Sequence, residues 1–496
     1  MTDQTVFPDP VYNRTVLAPL FEGVKTHFAG AMTTINRAHL VMLVETQILT
    51  ATQGREIAHA LDAIDQETDL AALTYTGEHE DYFFLVEAEL KRRLGADLGG
   101  MLHTARSRND IDHTLFKLVL RTHTDDMLIG LMDLATALIT KAEMERDTSI
   151  VAYTHGQPAQ ATTFGHYLGA VIETLLGDIA RLRAARTSLD LCPMGAAAIT
   201  TSGFPINRYR LAQLLGFAAP KQNSYGCIAS VDYVTGLYSA LKLPFLHFGR
   251  LVQDMAFWSA FEVGQLYVPN AFVQISSIMP QKRNPVPIEH MRHLASMTVG
   301  RCESVLVTMH NTPLTDMNDS EGEVQTAGFA AFESGMRVID LLTAFLPACR
   351  INADAVARNA DRACVTITEL ADTLVRIESL SFRQAHEIAA YTARAVIADG
   401  LPLGTGYSAF SSAFESETGR TSSLNEAAFV DTVAMSTFVK RRDRFGGPAP
   451  AALQRALDGY GQAVHVERVA LLADQQRAKD ADQSLATAFN ALKEAA

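Results

Sequence analysis

From Ile111 to about Asp147, apolar residues recur at three- and four-residue spacing, among them Leu115, Leu118, Val119, Met127, Leu131, Leu134 and Leu138. That period is helical. No proline or glycine interrupts it before Gly130, which predicts one helix of about 35 residues and roughly 50 Å. Similar patterns fill 161–188, 227–263, 286–309 and 322–347. Pro244, in the second of these, predicts a kink rather than a stop. Alternating strand patterns are nearly absent, and no internal repeat or low-complexity segment is present. Helices this long, and apolar over much of their surface, bury against other long helices in the same chain or in partner subunits.

Three blocks follow from the pattern. Residues 1–108 hold shorter helices, an N-terminal helical domain that ends in the polar loop His103–Asp110. Residues 109–360 hold the long helices and form a central bundle domain. Residues 361–496 form a C-terminal helical domain of short helices broken by Gly400, Gly404, Gly406 and the turn at 445–450. The predicted fold class is all-α, with a central long-helix bundle and two smaller helical caps.

Composition narrows the function classes. The 496 residues are 48% hydrophobic, enough for a large core, with 42 Lys and Arg against 55 Asp and Glu and a net charge of −13. An acidic chain without a dense basic run is a poor partner for nucleic acid or an anionic membrane. No stretch approaches the ~20 apolar residues of a membrane-spanning helix, and the N-terminus lacks the features of a signal peptide. Cys192, Cys227, Cys302, Cys349 and Cys364 are scattered and never form CxxC. They read as buried small hydrophobes in a reducing compartment, with neither disulfides nor a metal site implied. The expected setting is cytoplasmic.

Three loops carry more polar chemistry than capping requires. His103–Asp110 can cap the long helix through Asn109 or Asp110, but that leaves two arginines and Ser107 unexplained. A carboxylate-binding loop accounts for them, because arginine pairs bidentately with carboxylates. Thr154-His155-Gly156-Gln157-Pro158-Ala159-Gln160 precedes a helix containing His166, a hydrogen-bonding set beside a positive helix end. Ser276-Ser277-Ile278-Met279-Pro280-Gln281-Lys282-Arg283-Asn284-Pro285 reads as a loop that is neither helix nor strand. At ten residues it is too specific to be only a turn with a solvated basic pair.

That third string resembles the signature loop of the fumarase/aspartase superfamily, close to GSSxMPxKxNP, with Ile275 where glycine is usual. Within the superfamily the chain is most similar to the argininosuccinate lyase family. Thr104–Asp110 is near its GRSRND, Thr154–His166 near its THxQxAQP, and Glu80, Asp81 and Glu87 resemble its EDIHTxxE segment. Ala371-Asp372, Leu374–Arg376 and Phe382–Glu387 resemble its tail. The resemblance runs from about residue 75 to 455. It implies a homotetramer whose long helices form a shared bundle, with each active site built from three subunits. It also implies anti elimination of an amine from an N-substituted aspartate to leave fumarate, with no metal or organic cofactor.

By position in these motifs, Ser276 matches the family's catalytic base. Removing a Cβ proton beside a carboxylate builds an aci-carboxylate with two negative charges, so the base needs a preorganised positive cradle. Serine is far too weak an acid to be an alkoxide unless local charge and backbone amides stabilise that form; Lys282 lies in the same loop. Lys282 and Asn284 match residues that hold the reacting carboxylate. Ser107, Arg108, Asn109 and Thr154 match others lining the fumarate half, and Gln157 lies beside them in the Thr154 motif as a substrate-binding candidate. His155 matches the family histidine and Glu289 its charge partner; whether His155 protonates the leaving amine or orients groups stays open.

The departures concern the amine half. The family's DIxGSxAH segment aligns with Met32–His39, which keeps only Ala38-His39. Phe83 stands in place of the histidine of EDIHT, and Val231 in place of an arginine. The YNxDLQEDKE segment has become Leu314–Glu323, with Asp316, Asp319, Glu321 and Glu323. The resemblance therefore implies a paralogue whose fumarate half is intact and whose amine half has changed. An aminopolycarboxylate such as ethylenediamine-N,N′-disuccinate, its distal acid held by Arg37 or Arg283, is one substrate; argininosuccinate is the alternative. A catalytically inert structural homologue is the distant one.

Overall fold

The computed structural model describes residues 7–494. Near the N-terminus, helices α1 (Ala29–Glu45), α2 (Ala51–Glu67) and α3 (Tyr82–Leu94) pack on one another. Each start has a local cause where a polar side chain is available. Thr50 and Gln53 form a capping box for α2, and Asp81 accepts a hydrogen bond from the Phe84 amide at the start of α3.

The bundle contains α4 (Arg108–Met144), α5 (Phe164–Leu189), α6 (Asp232–Ser259), α7 (Val286–Thr308) and α8 (Gly322–Ala348). These match the five stretches predicted from periodicity, and α6 continues through Pro244. α4 and α8 run parallel. Asn109 and Glu321 line one cavity at their N-terminal ends, Gly130 faces Met336 midway, and Lys141 Nζ donates to the Cys349 carbonyl at the other end, at 3.0 Å. α8 also lies unusually close to α6. A Cβ at Gly328 would stand 2.0 Å from Tyr238 Oη, and one at Gly335 2.5 Å from Phe245 Cζ.

The chain forms four two-stranded sheets among the described residues, where strands were hardly expected. β1 (Ser149–Thr154) and β2 (Gln157–Thr163) make an antiparallel hairpin just past the end of α4. β3 (Leu266–Tyr267) pairs with β6 (Arg350–Ile351), which ties the ends of α6 and α8 together. Between them, β4 (Gln274–Ile275) pairs with β5 (Arg283–Asn284).

The tail divides differently from the single block expected. Leu370, Leu374, Ile388, Phe410, Phe414 and Phe429 form a core of their own. Residues Pro450–Glu494 instead make one 45-residue helix, α9, which returns to the bundle and buries Leu453, Leu457, Val464, Leu471, Leu485 and Phe489 in the main core. Short helices were expected through the tail from Gly400, Gly404, Gly406 and the turn at 445–450, all of which precede α9; within it, Gly459 and Gly461 each weaken a helix by up to about 1 kcal/mol. Packing against α1, α2, α4 and α5 overrides that, and ion pairs add to it: Asp474 with Arg183 at 2.9 Å, and Lys493 with Asp62. No helix among the described residues is long and apolar enough to cross a membrane.

Candidate active site

Ser276 and Lys282 lie on the turn of the β4–β5 hairpin, so the segment 276–285, expected to be neither helix nor strand, contains the short strand β5, paired with β4 just before it. Pairing of Gln274 with Asn284 and Ile275 with Arg283 closes the loop. The Ser276 hydroxyl oxygen accepts hydrogen bonds from the amides of Ile278 (3.4 Å) and Met279 (3.1 Å). Two N–H dipoles aimed at one oxygen favour negative charge there. A turn from Lys282 N–H to the Met279 carbonyl (2.9 Å) fixes the other side of the loop. Asn284 is half-buried in β5, while Lys282 is exposed. Glu289 is exposed in the first turn of α7, immediately after the hairpin.

Thr154, His155 and Gln157 belong to the other hairpin, not to the start of a helix. His155 (φ 54°) and Gly156 (φ 72°) are the two left-handed residues of the turn, as a two-residue type I′ connection requires. Thr154 and Gln157 flank the turn as paired strand residues. All three side chains are exposed. The helix start is made later, by Thr163, whose hydroxyl accepts from the His166 amide. His166 itself is structural, held between Thr162 Oγ1 (2.8 Å) and the Gly446 carbonyl (3.0 Å). Among the described residues no hydrogen bond joins His155 to Glu289 within the chain.

Ser107 caps α4 in a capping box with Asp110, and its hydroxyl donates to Asn109 Oδ1 at 2.9 Å. Asp110 is buried, which pushes its pKa up to about 6, although the amides of Ser107, Gly195 and Ala197 favour its charged form. Arg106 is also buried and donates to Asn36 Oδ1 at 2.6 Å. His39 sits beside it, with Nε2 2.9 Å from the Thr104 carbonyl oxygen. Burial and the Arg106 charge lower the His39 pKa to about 3, so it is a neutral donor. The segment 36–39 thus braces the loop 104–106 from behind.

Arg108 Nη1 pairs with Asp81 (2.7 Å) and Glu80 (3.1 Å). Burial opposes its charge, but the hydrogen bond to Asp81 and both acid charges raise its pKa above the ordinary range. Arg108 and Asn109 open onto a cavity of about 360 Å³. Apolar Leu20, Val24, Phe28, Leu115 and Phe116 line it together with the acids Asp112, Asp316, Glu321 and Glu323. Glu321 is pushed up to about 7 by burial and then by Asp316. Asp112 is held well above the usual carboxylate range by burial, Glu321 and Asp81, and Asp316 is raised by burial. Asp112 was not singled out from the sequence, although it stands four residues after Arg108 and so on the same helical face. Asp319 is exposed and does not line the cavity.

These groups occupy opposite ends of the molecule. Ser107, Arg108 and Asn109 begin α4 and His155 lies beyond its end, 37 residues on, a rise of about 55 Å. The β4–β5 hairpin is at the His155 end, since the Gln265 side chain just before β3 binds the Val151 backbone at 3.1 and 3.2 Å. One chain therefore cannot gather all the candidate residues around one small molecule.

Two cations suggested for a distal carboxylate have other partners. Arg37 pairs with Asp62 (3.0 Å) and Asp65 (2.8 Å) and lies over the Phe489 ring. Arg283 binds Asn270 and the Val268 carbonyl (2.7 Å) and stacks on Tyr267. Both hold structure together. All five cysteines are buried and free, and among the described residues no three His, Cys, Asp or Glu side chains are grouped to hold a metal ion.

A family model described as Lyase matches residues 25–300, and one described as Argininosuccinate lyase C-terminal matches 364–426. The chain is 59% identical over 461 residues to Argininosuccinate lyase 2 of Agrobacterium fabrum, covering 92% of this chain and 91% of that one. It is 33% identical to Argininosuccinate lyase of Thermus thermophilus, over 85% and 90%. Among solved structures, a variant of EDDS lyase with bound fumarate superimposes with a TM-score of 0.83 at 29% identity, covering 96% of each chain. With similarity of this extent along almost the whole length, the chain belongs to the argininosuccinate lyase family of the fumarase/aspartase superfamily.

Proposed function

We propose that the protein is a cytoplasmic carbon–nitrogen lyase that eliminates an amine from an N-substituted aspartate and releases fumarate. Ser276 takes the Cβ proton. The observation that carries this reading is the Ser276 hydroxyl oxygen facing two backbone amides in a closed hairpin turn, which lowers the cost of an alkoxide before any substrate binds. Lys282 and Asn284, on the same hairpin, hold the carboxylate whose charge grows as the proton leaves. Ser107, Arg108, Asn109, Thr154 and Gln157 bind the rest of the substrate, and His155 with Glu289 serves the leaving amine.

The working unit is a homotetramer with shared sites. The axial separation of Ser107 from His155 and Ser276 supports this, because other copies of the chain must supply what one end lacks. Leu246, Met297 and Val307 on α6 and α7 also leave apolar side chains exposed in a single copy, as helices that meet partner subunits do.

The substrate is an aminopolycarboxylate or argininosuccinate. Similarity to EDDS lyase and the altered amine half support the first; the name of the 59% identical relative supports the second. Ultraviolet detection of fumarate over a panel of N-substituted aspartates tests the reading. Fumarate from at least one member is expected. Release from none would overturn it.

A further inference from the structure

Asp110 is bound more fully than the cap of α4 requires. In the capping box its Oδ1 accepts from the Ser107 amide at 2.8 Å, and that bond completes the helix start. Its Oδ2 accepts from the amides of Gly195 (2.8 Å) and Ala197 (3.0 Å), which lie 85 and 87 residues further along the chain. Those two residues turn the chain after α5 with left-handed backbones, φ 85° and 52°. Left-handed geometry is strained for an alanine, and the bonds from both amides to one carboxylate hold the turn in it. Asp110 is 0% exposed, and all three amides belong to its own chain, so neighbouring copies neither supply nor replace them. On the other flank Arg106 donates to Asn36 Oδ1 at 2.6 Å and lies over the Phe83 ring, which fixes the loop to α1 and α3. Ser107, Arg108 and Asn109 therefore stand on a backbone clamped just before and just after them.

We infer that Asp110 is a positioning residue for the fumarate half of the site. By tying the Ser107 backbone to the turn at 195–197 it fixes Ser107, Arg108 and Asn109 in the geometry that receives the substrate, without touching substrate itself. This rests on the lyase reading and adds to it a residue that acts from behind the site. Hydrogen bonds to a buried charge are stronger than those between neutral groups, so the clamp is stiff, and small displacements of binding groups are costly to recognition. The base lies on the β4–β5 hairpin, to which Asp110 makes no hydrogen bond. Loss of the clamp therefore falls on binding rather than on proton removal. A purely structural cap behaves differently: its loss lowers the folded fraction and leaves affinity unchanged.

Asp110→Asn keeps the size of the side chain but offers one oxygen in place of two. Whichever way the amide turns, its NH₂ faces either the Ser107 amide or those of Gly195 and Ala197, and one tie is lost. Fumarate is the probe, titrated calorimetrically into wild-type and Asp110→Asn protein after helicity and assembly have been checked. Its dissociation constant should rise about tenfold or more, equivalent to about 1.4 kcal/mol. With any N-substituted aspartate that the wild type turns over, KM should rise while kcat stays within about threefold. Unchanged fumarate affinity in the folded variant, or a fall in kcat at constant KM, overturns the inference and leaves the lyase reading standing. If Asp110→Asn does not assemble, Gly195→Ala decides, because it strains the turn at φ 85° and crowds Arg208 Cγ at 2.8 Å without altering the capping box. Fumarate binding weakened about threefold or more then supports the clamp, and wild-type affinity overturns it. If the wild type neither binds fumarate nor releases it from any N-substituted aspartate, the lyase reading fails and this inference falls with it.

Discussion

Ser107 caps the start of α4 and His155 turns the hairpin beyond its end, so a single helix of 37 residues holds them about 55 Å apart. A variant at one end and a variant at the other should therefore complement. Asn109→Ala and Ser276→Ala, each inactive alone, are expected to regain fumarate release after mild dissociation and mixing. Sites formed within one subunit would give no recovery, and that result would sink the shared-site arrangement.

The alkoxide argument gives the sharpest single substitution. Ser276→Ala removes the proposed base and should leave the hairpin pairing of β4 and β5 intact. Turnover should fall by about 10²–10⁴-fold or more, with unchanged assembly by sedimentation. Retention of more than about a tenth of wild-type kcat would move the base elsewhere, with Ser277 next to it as the first candidate.

Close helix approach has a measurable counterpart in stability. Gly335 lies so near Phe245 that a methyl group would overlap the ring. Gly335→Ala should cost about 1–3 kcal/mol in urea denaturation, and Phe245→Leu in the same chain should restore part of it. An alanine variant as stable as wild type would show that α6 and α8 can move apart freely.

In the C-terminal core, Glu378 is buried, yet Ser422, Arg420 and Ser423 hydrogen-bond to it and bring its pKa down from 4.5 to about 2. A depressed carboxylate stabilises the fold above its unfolded pKa, and that stabilisation fades as pH falls toward the folded value. The full shift corresponds to about 3 kcal/mol, and exposure of Arg420 reduces this to about 2 kcal/mol. The gap in unfolding free energy between wild type and Glu378→Gln should shrink by about 1 kcal/mol between pH 6 and pH 3. A pH-independent gap would show that the carboxylate charge is not what stabilises this core.

What could be read from the sequence follows from the range of each interaction. Helices α4 to α8 announced themselves because packing repeats every three or four residues along them. The hairpin of β1 and β2 has only six and seven residues per strand, too few for a period to stand out, though the His155-Gly156 pair was a turn signal. The long helix α9 was not legible, since its continuity through Gly459 and Gly461 rests on contacts with α1, α2, α4 and α5, which no local pattern encodes. Among the proposed site residues, motif position alone singled out Ser276, Lys282 and His155. The engagement of Arg108 by Asp81 and Glu80, and of Arg37 by Asp62 and Asp65, joins residues about 25 positions apart, and no local pattern encodes it.

The acidic run from Asp316 to Glu323 divides by geometry, and its members should behave differently. Asp316 lies on the cavity with Oδ1 buried and unpartnered, whereas Asp319 is exposed outside it. Asp316→Asn should raise KM for the true substrate more than it lowers kcat, and Asp319→Asn should leave both within about twofold, as an exposed substitution does. Equal effects at the two positions would mean that the run acts through its summed charge rather than through the cavity. The same acids predict poor activity on argininosuccinate, whose distal end carries a carboxylate that Asp112, Asp316 and Glu321 would face. The ionised members of this set repel a carboxylate at close range, which should lower kcat/KM for argininosuccinate. A value above about 10⁴ M⁻¹s⁻¹ with argininosuccinate, ordinary for a native substrate, would show that the acids yield to a carboxylate, and the substrate would then be that of the relatives at 59% and 33% identity.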